Sequence, residues 1–148
     1  MEDRGNFLLD PPFARHPPAW VSVNARTLGL FIAILATMGI LFDLLYLLAS
    51  STIIAGIPFL ATMSLVTDMV GAALGLIGAG RMFQGEVQGK IQVIYGLAVG
   101  FVAEILVGIT LHSPGRTLGA WAVFVCLYYL VVVSRYPSPS QGSGPPPR

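Results

Sequence analysis

Charge is the scarcest commodity in this sequence. Only 10% of its 148 residues are Asp, Glu, Lys or Arg, against 55% hydrophobic. A soluble domain carries about a quarter charged residues. A chain this short cannot bury so much apolar surface inside itself, so lipid has to cover it. Basic clusters are also missing, and the formal net charge is +1. That excludes a nucleic-acid binder, which meets phosphates with a basic face. Cysteine is almost absent. Cys126 stands alone, so no intrachain disulfide and no C-x-x-C redox pair can form. Inside an apolar run it reads as a small packing residue. Both histidines, His16 and His112, fall outside the apolar runs. This argues against a haem held between two helical histidines in a bilayer.

Enzyme signatures are missing as well. The chain holds no H-E-x-x-H, no G-x-S-x-G and no G-x-x-x-x-G-K-[ST], the patterns that build a zinc site, a nucleophile elbow and a phosphate loop. None of its serines has a histidine at helical spacing. The expectation is a non-enzyme with no metal and no cofactor.

What is present is long apolar runs. A helix needs about 20 mostly apolar residues to cross a bilayer. Four segments qualify, at about 27–49, 57–80, 91–111 and 117–134. The first is too long for a signal-peptide core and follows a polar, proline-rich stretch, so it reads as an uncleaved anchor. Pro58 suits the first turn of the second helix. The expected fold is all-α, an integral membrane four-helix bundle running up-down-up-down. Residues 1–26 form a Pro-rich cytoplasmic or interfacial segment and residues 27–134 the membrane domain. Residues 135–148 form a disordered Pro/Ser/Gly-rich cytoplasmic tail.

Orientation follows from Lys and Arg, which concentrate on the cytoplasmic side. With four spans, both termini share a side with the second loop. That side carries Arg4, Arg15, Arg26, Arg81, Lys90, Arg135 and Arg148, seven of the eight basic residues. The other side has Arg116 alone. Both termini are therefore expected in the cytoplasm, with the cell membrane as the default location. The second loop, GAGRMFQGEVQGK, reads as a flexible glycine-rich turn with basic anchors.

Three acids fall inside the spans: Asp43, Asp68 and Glu104. At the rise of a helix, Asp43 lies roughly 25 Å from Arg26, Glu104 roughly 21 Å from Lys90 and Asp68 roughly 20 Å from Arg81. All three sit at or beyond the midplane, toward the outer side. Each also shares a helix face with small residues, by the spacing of three, four and seven. Gly29, Ala36 and Gly39 accompany Asp43. Ala61, Ser64, Gly71 and Gly75 accompany Asp68. Gly96, Gly100 and Gly108 accompany Glu104. Small-residue stripes let helix backbones approach closely in lipid, so the acids are expected on packing faces.

An ionised carboxylate in lipid is costly and becomes neutralised, hydrated or paired. Three outcomes follow. The acids, protonated by burial, can donate hydrogen bonds across helix interfaces, with Thr62, Ser64, Thr67 and Tyr95 as candidate partners. They can form a proton or cation site, with Arg116 snorkelling inward and His112 as a proton partner. Or they can face a basic or polar residue of another subunit. Two functional readings result. One is a non-catalytic accessory, assembly or structural subunit, in a homo-oligomer or beside another membrane protein. The other is a small proton- or cation-coupled transporter or channel acting as an oligomer.

Overall fold

The computed structural model describes residues 11–12, 23–52, 59–110 and 114–136. Among these there are four helices and no strand: α1 (Ala25–Thr52), α2 (Phe59–Gln84), α3 (Val87–Thr110) and α4 (Pro114–Val133). Three of them contain stretches long and apolar enough to cross a membrane, Ala25–Ala49, Thr62–Gln84 and Val87–Thr110. The fourth, Thr117–Val133, is a shorter apolar helix. Their outward faces carry large apolar side chains, among them Phe42 (63% exposed), Phe59 (76%), Ile109 (65%) and Leu118 (69%). Soluble monomers rarely present contiguous apolar surface of this kind. The three long helices have the length and composition of membrane-embedded helices.

Local chemistry sets the helix ends. The Asn24 Oδ1 accepts a hydrogen bond from the Arg26 amide at 2.9 Å, capping the start of α1. Pro114 opens α4, where its missing N–H costs nothing. The α2–α3 connection differs from the expected flexible loop. Helix runs through Arg81 to Gln84 and resumes at Val87, leaving only Gly85 and Glu86 as the turn. Gly85 has φ +94°. Its amide donates to the Met82 carbonyl at 3.0 Å, and the Glu86 amide to the Arg81 carbonyl at 2.9 Å. This is a Schellman cap, which needs a left-handed residue where glycine is at ease. One glycine breaks the helix, and the other glycines of that stretch continue it.

The same end of the bundle gathers both ends of the described chain. The Ala25 amide donates to the Arg135 carbonyl and the Arg135 amide to the Val23 carbonyl, each at 2.9 Å. The segments before α1 and after α4 thus pair as a short parallel bridge at Asn24 and Arg135. The Tyr136 hydroxyl donates to the Glu86 carbonyl in the α2–α3 turn at 2.7 Å. The hydrophobic core sits directly beneath. It joins Leu28 and Ile32 of α1, Ala79 and Met82 of α2, Val93 and Ile94 of α3, and Leu127, Val131 and Val132 of α4. We call this the latched end. The proline-rich segment before Val23 apart from Pro11 and Pro12, most of the tail and Pro58 lie outside the described residues.

Candidate functional site: a cavity with two carboxyls

Helices α2 and α3 form the largest interface and α1 and α4 the smallest. The α2–α3 seam is made of glycine. A Cβ added at Gly96 would stand 2.5 Å from the Gly75 amide nitrogen, and one at Gly71 would stand 2.7 Å from that of Gly100. Nearer the latched end, a Cβ at Gly78 would stand 2.6 Å from the Val93 amide nitrogen, and one at Gly89 would stand 2.5 Å from that of Met82. No real Cβ fits at such distances, so backbone rests on backbone along the seam. Gly78 and Gly89 were expected in the flexible glycine-rich turn, and both are instead helical seam residues. The signal for both was present, because Gly71, Gly75 and Gly78 share a stripe, as do Gly89, Val93 and Gly96.

Above the core, the four helices part around a cavity of about 530 Å³. Helix α1 lends it Ile32, Ala36 and Gly39. Helix α2 lends Asp68, Gly71 and Gly75. Helix α3 lends Val93, Gly96, Gly100, Phe101 and Glu104, and α4 lends Gly119, Ala120, Val123, Phe124 and Leu127. From Val93 to Glu104 it extends roughly 16 Å along α3. Its latched-end floor is apolar, made by Ile32, Val93 and Leu127. Its opposite end holds both Asp68 and Glu104.

The candidate residues of the sequence separate here. Asp68 and Glu104 share the cavity wall. Asp68 lies over α3, and a Cβ at Gly100 would stand 2.9 Å from its Oδ1. Asp43 is buried, 7% exposed, and lies outside the cavity lining. Among the packing glycines, Gly71, Gly96 and Gly100 are in the seam. A Cβ at Gly75 or Gly39 meets nothing within 4 Å, because both turn toward the cavity. Gly108 is buried in α3. His112 and the side chain of Arg116 lie outside what is described.

Two of the expected hydroxyl partners, Ser64 and Thr67, use their own helix. The Ser64 Oγ donates to the Leu60 carbonyl and the Thr67 Oγ1 to the Met63 carbonyl, both at 2.8 Å. Tyr95 is exposed at 55%. Serine and threonine in apolar helices satisfy themselves this way.

One face of α4 was overlooked in the sequence. Gly119, Ala120, Val123, Phe124 and Leu127 recur at helical spacing, and they form the cavity's fourth wall. Phe124 stacks on Phe101 with ring centroids 4.8 Å apart, and Tyr128 follows at 6.1 Å. Lys90 was expected as a loop anchor. It lies within α3, is only 9% exposed, and donates from Nζ to the Ser134 carbonyl. Its ammonium also lies 5.5 Å from the Tyr136 ring centroid. It therefore meets the C-terminal end of α4, where a cation is favoured by the helix dipole.

Chemically, the arrangement offers two carboxyls at one end of an apolar chamber. Such groups can accept or donate hydrogen bonds, hold a cation or exchange a proton. Among the described residues no group of three or more His, Cys, Asp or Glu is placed to hold a metal ion. No protein-family model, curated protein or solved structure matches the chain.

Proposed function

We propose that the chain is a small multi-pass protein of the cell membrane, with four spans and both termini cytoplasmic. It acts as a non-catalytic accessory, assembly or structural subunit. The observation that supports this reading is how much large apolar surface the described helices expose. Its four helices turn large apolar side chains outward, and the α2–α3 turn is two residues long. Apolar surface of this kind supports contacts with lipid and with the helices of other subunits. Its partner is another membrane protein or further copies of itself. The test is the mass and composition of the complex after gentle extraction from native membranes. A pure homo-oligomer raises the transporter reading instead, and an assembly with other proteins supports a subunit role. A lone monomer contradicts it.

The cavity favours a second reading, a proton- or cation-coupled carrier or channel. Asp68 and Glu104 would carry the coupling, with Asp43 in support. This reading expects Glu104→Gln to abolish flux in reconstituted vesicles while the protein stays folded. Unchanged flux would remove Glu104 from the mechanism.

A further inference from the structure

We infer that the cavity is a binding site for a lipophilic organic cation, an amphiphile with an ammonium-type head and an apolar body. The site stands whether the bundle serves as a subunit or as a carrier, because it rests on the chamber itself.

Size comes first. At about 530 Å³ the chamber falls within the range of small-molecule pockets, roughly 300–1,000 Å³. It is far too large for a bare ion, since a water molecule occupies about 30 Å³. Its walls are overwhelmingly apolar, and apolar surface favours an apolar partner. The natural occupant is therefore itself mostly apolar.

Polarity comes second, and it is distributed unevenly. Ile32, Val93 and Leu127 close one end, while Asp68 and Glu104 stand at the other. An occupant matching this gradient has a hydrophobic tail toward the core and a polar head toward the carboxyls. The sign of the head follows from the residues around it. Two acids repel a carboxylate or phosphate head and attract a cation.

The test uses the full chain in phosphatidylcholine nanodiscs. The probe is radiolabelled phenylbutyltrimethylammonium, and the competitor is its neutral isostere with carbon in place of nitrogen. The expected result is saturable binding above empty discs that the isostere does not displace. Asp68→Asn combined with Glu104→Gln should weaken binding about tenfold or more, as loss of a buried charge partner does. Ala120→Phe, which fills the chamber and leaves both acids in place, should abolish it. The competition experiment needs no variant, so a misfolded double mutant does not rescue the idea. Absence of saturable binding, or equal competition by the neutral isostere, would overturn it. So would undiminished affinity in the folded variants.

Discussion

The latched end of the bundle and its opposite half are built from the same kinds of residue, yet one is filled and the other hollow. At the latched end, Leu28, Met82, Val93 and Val131 interlock, and hydrogen bonds join Val23, Ala25, Glu86 and Arg135 across three segments. In the opposite half the glycines of α1 and α4, Gly39 and Gly119, leave space, and a Cβ at either meets nothing within 4 Å. The lesson is that a small residue has two uses. In the α2–α3 seam, glycine brings backbones together. Facing the cavity, it keeps side chains out.

Substitutions can break this contrast. The largest effect is expected in the seam. Gly89→Leu or Gly78→Leu must push rigid backbone aside, and overpacking of this kind costs about 1–3 kcal/mol or more. Loss of the monodisperse species in size-exclusion chromatography, or a sharp fall in melting temperature, would register it. Gly75→Ala and Gly39→Ala should instead be tolerated, and can gain about 0.5–1 kcal/mol from helix propensity. If all four behave alike, the contrast between seam and cavity fails.

The latch comes next. Lys90→Met removes a charged donor and leaves the Ser134 carbonyl short of a partner. A hydrogen bond to a charged group is worth about 1.5–3 kcal/mol, so thermal unfolding should shift accordingly. Gly85→Ala forces a side chain into φ +94° and should cost about 1 kcal/mol. The smallest effect is expected at Tyr136, where Phe removes one partly exposed hydrogen bond worth about 0.5–1 kcal/mol.

The same tyrosine supplies a pH test. Burial, and secondarily the Glu86 carboxylate, hold the Tyr136 phenol above its ordinary value of 10.0. The fold favours the neutral form. Its contribution is therefore complete below that value and is lost as pH rises through and beyond it. As pH rises through 10.0 and beyond, the wild-type melting temperature should fall more steeply than that of Tyr136→Phe. Parallel profiles would detach the tyrosine from the latch.

Much of this arrangement is legible in the sequence, and the illegible parts have physical reasons. The apolar runs announce the helices because lipid imposes a minimum length. The stripe Gly96, Gly100 and Glu104 places an acid among small residues because helical periodicity is local. A cavity is not local. Its width depends on how far apart four helices settle, which no single stripe encodes, so Phe101 and Phe124 gave no hint of facing each other. The pairing of Asn24 with Arg135 joins residues at opposite ends of the described chain. No periodicity marks it. Lys90 misled for a related reason. A lone cation beside an apolar run looks like a loop anchor, and its inward turn depends on α4 ending where its ammonium can reach.

A bundle that crosses the membrane four times is most exposed to failure at α4, the short helix. The direct measurement is thiol labelling in intact cells by a membrane-impermeant maleimide, in a Cys126→Ala background. Gly115→Cys, at the start of α4, and Gly142→Cys, beyond its end, serve as the two reporters. The account predicts labelling at position 115 from outside, and labelling at position 142 only after the membrane is permeabilised. Equal labelling of both positions from the same side would show that α4 does not cross, and would contradict both the four-span bundle and the shared cytoplasmic side of the termini.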